Sequence, residues 1–172
     1  MSRALSFAPV ITEGARVLIL GSMPGLRSLD QQQYYAHPRN NFWPIMAELF
    51  GFSLEKSYPE RLALLQRQGI ALWDALACCE RSGSLDAAII ENSIQANDFV
   101  QLFQRYPTLE AVFFNGAKSE QSYRRYVIGT LAGVTQPALL QRLPSTSPAH
   151  ASLSYAQKLQ QWRQVQQVLL NY

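Results

Sequence analysis

Charge is scarce in this chain. Only 16% of its 172 residues are Asp, Glu, Lys or Arg, against 48% apolar. That balance excludes a disordered polyelectrolyte and fits a chain with a real core. Cysteine is almost absent: Cys78 and Cys79 are the two present, and they are adjacent. Neighbouring residues make a poor disulfide, so free thiols in a reducing compartment are expected and a disulfide-stapled scaffold is excluded. Two cysteines also cannot supply the four thiolates of an iron–sulfur cluster. No apolar run is long enough to cross a bilayer. The opening MSRALSFAPV lacks the sustained apolar stretch of a secretory signal, so a cytoplasmic location away from any membrane is expected. The two histidines, His37 and His150, stand in no HxxxH or HxxE spacing, so no metal is expected and no cofactor. There is no Walker loop, no dinucleotide fingerprint and no nucleophile elbow, which argues against a small-molecule α/β hydrolase.

What is present points to one domain spanning residues 1–172. The net charge of +3 and pI near 9.0 favour a polyanionic partner only mildly. Residues 1–15 read as a lead-in. The apolar run Arg16–Leu20 reads as a buried strand. Helical spacing of Phe42, Trp43, Ile45, Met46, Leu49 and Phe50 predicts a helix over Asn41–Gly51, and a second follows over Tyr58–Gln68. Ile70–Trp73 reads as the second strand, with Asp74 at its end, and Cys78–Leu85 as a loop. A short helical turn at Asp86–Ile90, a helix over Asp98–Arg105, a third strand at Leu109–Phe114 and a helix over Ala117–Ile128 come next. Pro137–Leu143 is the fourth strand and Ser152–Leu170 the last helix. Strands alternating with helices imply parallel pairing through right-handed crossovers, hence an α/β fold: a three-layer α/β/α sandwich around a central four-stranded parallel sheet.

In such a sheet ligands gather at the carboxyl ends of the strands. Four polar segments fall there: Gly21–Asn41, Asp74, Asn115-Gly116 and Ser145–His150. The first is far longer than an ordinary strand-to-helix connection and is rich in side chains that stack or hydrogen-bond.

Gly21-Ser22-Met23-Pro24-Gly25, with Tyr35-Ala36-His37-Pro38-Arg39-Asn40-Asn41-Phe42-Trp43, resembles the first motif of the uracil-DNA glycosylase superfamily. Within it the pattern is most similar to the hypoxanthine-DNA (deoxyinosine) glycosylase family. Leu143-Pro144-Ser145-Thr146-Ser147-Pro148-Ala149-His150-Ala151 resembles the second motif, a loop that enters the minor groove. The resemblance implies the three-layer fold and excision of a deaminated base. It implies base contacts from the backbone around Ser22 and Met23, from the ring of Tyr35 and from Asp74, and DNA contacts from Ser145, Thr146, Ser147, Pro148 and His150. Relatives hold the attacking water with Asp or Asn at the place of Met23, whose thioether can neither orient nor deprotonate water. In the hypoxanthine-glycosylase family that duty falls on the position of Asn40, the expected catalytic residue here.

Plainer readings stand beside these. Tyr34 or Tyr35 suits the core, Asp74 or Asn40 suits a helix cap, and Ser145–His150 suits a simple turn. His37 suits pinning its loop. Asn41 should point about 100° away around the helix and cap or pack. An ionised Asp74 accepts only, which matches an N–H edge such as N1–H of hypoxanthine.

The expectation is a monomeric, monofunctional DNA glycosylase that acts on double-stranded DNA and removes hypoxanthine, with uracil as a further base, as the first step of base-excision repair. No lysine lies in the motifs, Lys118 being the nearest, so no lyase step is expected. The alternative is a nucleic-acid-binding module that kept the fold and lost catalysis, for which Met23 is the main support.

Overall fold

The computed structural model describes residues 2–171. Its strands are β1 (Ser2–Leu5), β2 (Val17–Gly21), β3 (Ile70–Asp74), β4 (Leu76–Arg81), β5 (Gln95–Ala96), β6 (Ala111–Asn115) and β7 (Leu139–Leu143). Its helices are α1 (Leu26–Gln31), α2 (Phe42–Phe50), α3 (Tyr58–Arg67), α4 (Phe99–Arg105), α5 (Ala117–Tyr126) and α6 (Tyr155–Leu170). Strands β3, β2, β6 and β7 form, in that order, a four-stranded sheet in which every pairing is parallel.

The period of two in a strand sorts the core into two layers. Val17 and Ile19 of β2 face α2, α3 and α6, with Phe42, Trp43, Leu65 and Trp162. Leu18 and Leu20 face α4 and α5, with Phe99, Leu102, Phe103 and Tyr123. Both faces of β2 are covered, which is why its sequence is continuously apolar. The sheet is therefore the middle of an α/β/α sandwich, as the alternation of elements implies.

Helix ends follow local chemistry. Ser57 and Glu60 form a reciprocal capping box at α3, Ser154 and Gln157 another at α6, and Asp98 caps α4 through the Gln101 amide. Gly51 ends α2 in the left-handed region, where glycine carries no steric penalty. The Arg16 guanidinium closes the other end of the fold. It pairs with Glu110 and donates to the carbonyls of Val168 and Leu169, satisfying the last turn of α6.

Two features depart from the reading of the chain alone. Residues Leu76–Arg81 form a strand where a loop was expected over Cys78–Leu85. β4 pairs antiparallel with β1, inside the expected lead-in, and with β5, to make a second three-stranded sheet. No local period marks this sheet, because Ser2 lies opposite Arg81 and the partners meet only in the folded chain. Cys78 and Cys79 project to opposite sides of β4. Cys78 Sγ lies between Arg3 and Gln95, and Cys79 packs with Met23 and Ile89. The lead-in also covers an edge: Val10 exchanges both backbone bonds with Leu72 of β3. The second departure is the short helix α1 inside the long loop, whose first amide is held by Ser84 Oγ at 2.9 Å.

Trp162 is the largest fully buried side chain among the described residues. It packs edge-on to Phe42, and its indole N–H donates to Pro144 O at 2.9 Å. Trp162→Ala should lower unfolding free energy by about 3–5 kcal/mol, the usual loss for a buried aromatic. Urea denaturation measures it, and a loss under about 1 kcal/mol would show that the helix is not anchored through this ring.

Candidate active site

A cleft of about 960 Å³ opens along the carboxyl edge of the parallel sheet, where the chain leaves the central strands β2 and β6 in opposite directions. Ser22, Met23, Tyr35, Asn40, Asp74, Ser145, Thr146, Ser147, Pro148 and His150 all line it. Segments spread over more than a hundred residues of chain thus meet in one space, and Asn40 and Ser147 lie on the same side of the sheet.

The floor is built by a close approach. Gly21 ends β2 opposite Asp74 at the end of β3. A Cβ at Gly21 would stand 2.4 Å from Asp74 Oδ1, so only glycine leaves room for the carboxyl. Asp74 is 4% exposed, and its Oδ2 has no hydrogen-bond partner among the described residues. Burial, then the nearby Asp86 carboxylate, push its pKa up to about 7, and the buried guanidinium of Arg81 opposes them. Near neutral pH the group is thus split between acid and anion, not simply ionised. No helix follows it, since β4 begins two residues on, so the helix-cap alternative for Asp74 falls away.

The two tyrosines part company. Tyr34 is a core residue, with its hydroxyl donating to Ala8 O and its ring edge-on to Phe7. Tyr35 adopts a left-handed backbone with φ +57, an unusual conformation for an aromatic residue, and this turns its side chain into the cleft. One face of its ring stacks on Phe42, with centroids 4.0 Å apart. Its hydroxyl is buried and unpartnered. Burial and the neighbouring Asp74 hold its pKa well above the usual tyrosine range.

Met23 is 6% exposed and packs with Ala4, Leu76, Cys79 and Ile89 in a satellite of the core. Asn40 Oδ1 accepts from the Phe42 amide at 2.9 Å, so its side chain caps α2. Asn41 makes no side-chain cap and lies outside the cleft lining; its backbone amide donates to Thr146 O. The capping duty expected of Asn41 is therefore carried by Asn40, whose second oxygen lone pair and amide NH₂ remain for the cleft. His37 Nδ1 accepts from the Arg39 amide at 3.1 Å and so pins its own loop.

The loop after β7 is held from within. Ser145 Oγ and Ser147 Oγ accept from the amides of Ser147 and Ala149, as serine turns do. Thr146 is 1% exposed. Its hydroxyl accepts from Asn115 Nδ2 and its amide donates to Asn115 Oδ1, both at 2.9 Å. Thr146 is thus turned inward as a clip, while Ser147, Pro148 and His150 form the outer part of the loop. Gly116, at φ +94, lets this loop come close: a Cβ there would stand 3.1 Å from Ser145 Cβ.

Reading the chain alone missed the wall opposite. Asp86 accepts from Ser22 Oγ at 2.6 Å. Glu91 binds Lys118 Nζ and the Tyr126 hydroxyl. Arg81, 2% exposed, donates to Pro24 O. The acidic residues of 82–94 sit in a Gly/Ser-rich stretch that gives no periodic signal, and their partners lie far away in sequence.

The family model for the uracil DNA glycosylase superfamily matches residues 8–168. A hypoxanthine DNA glycosylase of Methanosarcina barkeri (strain Fusaro) is 42% identical over 114 residues, which cover 66% of this chain and 71% of that protein. A hypoxanthine DNA glycosylase of Methanosarcina acetivorans is 38% identical with the same coverage. A solution NMR structure of a candidate uracil DNA glycosylase from M. acetivorans superposes with a TM-score of 0.80. It is 32% identical, and the match covers 99% of this chain and 100% of that one. Among the described residues no helix is long and apolar enough to cross a membrane.

The raised pKa of Asp74 has a consequence for stability. Folding favours its neutral form, so its stabilising contribution is complete below about pH 4 and is lost as pH rises through about 7. Asp74→Asn, which keeps the neutral shape, should match the parent near pH 4. By pH 8 it should exceed the parent by more than about 1.4 kcal/mol, the equivalent of one pKa unit. Chemical denaturation across that range measures the difference. A gap that does not grow with pH would mean that Asp74 is ionised at no cost.

Proposed function

This chain belongs to the uracil DNA glycosylase superfamily, and we propose that it is a monofunctional DNA glycosylase that removes hypoxanthine, and secondarily uracil, from double-stranded DNA. One observation carries the reading. The cleft, at about 960 Å³, has room for an extruded nucleotide and is lined by an unpaired carboxyl, Asn40 and the Ser/Pro loop. A stacked base cannot be attacked in the duplex, so the nucleotide must swing out into this space. Arg27 and Arg39, exposed at the cleft, supply positive charge for the phosphates on either side.

In the proposed reaction water attacks C1′ of the sugar as the bond to the base breaks. The bonding pair leaves with the base, where hydrogen bonds from the cleft disperse its charge. The water's proton passes to solvent. Met23 is packed into an apolar cluster and cannot hold this water. Asn40 holds it instead, since its oxygen is fixed by the Phe42 amide and still has a free lone pair. An amide is a poor base, so turnover is slow. A lyase step needs a free amine. Lys118 lines the cleft, but its Nζ is bound to Glu91, which supports hydrolysis alone. The product is an abasic site, which places the enzyme at the start of base-excision repair. The buried apolar Met23 is also what a catalytically silent DNA-binding domain would show, so excision has to be measured directly.

Duplexes carrying a single deoxyinosine or deoxyuridine, treated with enzyme and then with alkali, should break at the lesion. Binding without strand breaks on either would select the silent domain instead. In the same assay Asn40→Ala should lower single-turnover excision about a hundredfold or more, the usual loss of a positioned catalytic group. It should also lose about 1 kcal/mol of stability with the cap. Asn40→Ser keeps a capping oxygen but not the reach, so it should stay folded and inactive. Asn40→Asp should retain part of the activity. Parental excision by Asn40→Ser would leave Asn40 with the helix cap alone.

A further inference from the structure

We propose that the Tyr35 hydroxyl and the Asp74 carboxyl act together as a donor–acceptor pair that recognises the lactam edge of the extruded base, a C=O beside an N–H. Base selection is thereby assigned to the hydroxyl of Tyr35 as well as to Asp74. This inference rests on the glycosylase reading above and deepens it.

Two buried polar atoms in this cleft lack partners, Tyr35 Oη and Asp74 Oδ2. Buried polar groups are nearly always paired, so an orphan in a cleft calls for a ligand. The two side chains stand close together. From the Cβ position of Gly21, Asp74 Oδ1 lies 2.4 Å away and Tyr35 Oη 3.4 Å. Both flank one backbone point, yet they do not bond to each other. Tyr35 is kept there against its backbone preference, at φ +57, with its ring braced on Phe42.

The protonation states assign the roles. Burial and Asp74 keep the phenol protonated, so it has an O–H to give. The Asn115 side chain lies near the phenol oxygen without reaching hydrogen-bonding geometry, and that amide is itself held by both bonds to Thr146. The hydroxyl hydrogen is left for the cleft. Asp74 supplies acceptor oxygens whether neutral or ionised. The pair therefore presents donor beside acceptor.

Deamination changes the edge that such a pair meets. Hypoxanthine offers O6 beside N1–H, and uracil offers O4 beside N3–H; each matches at both points. Adenine and cytosine offer an amino group beside a bare ring nitrogen, the reverse at both points. A parent base entering the cleft sets donor against donor and acceptor against acceptor, leaving buried groups unpaired. Sites built this way discriminate far more strongly than apolar pockets do. Guanine shares the lactam edge, so its exclusion falls to other walls of the cleft.

The test compares binding of duplexes that carry one non-cleavable 2′-fluoroarabino nucleotide bearing hypoxanthine, unsubstituted purine or adenine. Fluorescence anisotropy reads affinity, and excision of deoxyinosine by the parent is the control for the underlying reading. The parent should prefer hypoxanthine over purine by about tenfold or more, the equivalent of one hydrogen bond. Tyr35→Phe keeps the ring and its contact with Phe42, and it should weaken binding of the hypoxanthine duplex far more than that of the purine duplex, so that most of the preference is lost. Asp74→Asn should erode the same preference, and the double variant should abolish it. An inactive parent would overturn the glycosylase reading. An active parent with no preference for hypoxanthine over purine, or a Tyr35→Phe that keeps the full preference, would overturn this inference alone.

Discussion

The cleft depends on the two-point bond between the Asn115 amide and Thr146. Asn115 ends a central strand and is positioned by the sheet. Thr146 sits in the middle of the loop after β7 and would otherwise be free to swing. The amide holds both its hydroxyl and its backbone N–H, and Thr146 O in turn receives the Asn41 amide. Two loops, the one after β7 and the one before α2, are thus hung from one rigid strand end. Trp162 supports the same loop from below through Pro144 O, and Gly116 removes the side chain that would keep it at a distance. With these contacts in place, the outer residues Ser147, Pro148 and His150 face the cleft mouth with little freedom left to lose on binding.

The floor shows the opposite economy. A carboxyl is buried at Asp74 with one oxygen unpaired, beside a tyrosine hydroxyl in the same condition. The fold tolerates both because the central strands around them are covered by packed apolar layers on both faces, so local strain cannot relax. Stability given up at such a site is the common mark of a surface prepared for a ligand. Arg81 keeps the arrangement from going further, since its buried guanidinium draws Asp74 back toward ionisation against burial and Asp86.

In the proposed reaction Asn40 combines a structural role with a chemical one. Its oxygen caps α2, which fixes the side chain at the start of a helix anchored by Phe42 and Trp43. A water held by a side chain without that cap would share its rotational freedom. Pre-orientation of this kind is what a weakly basic group needs in order to contribute. Met23, for its part, joins the apolar cluster beside the small sheet, with Ala4, Leu76, Cys79 and Ile89.

The chain by itself determined the parallel sheet, the longer helices around it and the polar segments at the strand ends that form one side of the cleft. Those follow from local signals: continuous apolar runs such as Val17–Leu20, helical spacing in α2 and α6, and polar stretches at strand ends that a parallel sheet must bring to one edge. Only the tertiary structure decided the rest. The sheet of β1, β4 and β5 has no local period, because its strands are short and Ser2 of β1 finds its partner only at Arg81 of β4. Tyr34 and Tyr35 are alike as sequence, and a single left-handed φ sends one to the core and the other to the cleft. Thr146 reads as a surface hydroxyl until Asn115 is seen to hold it. The near-neutral pKa of Asp74 comes from burial by Gly21 and from Asp86 and Arg81, groups that no spacing places beside it. Patterning reports which face of an element is apolar, whereas the pairing of polar atoms depends on distances that exist only after the chain has folded.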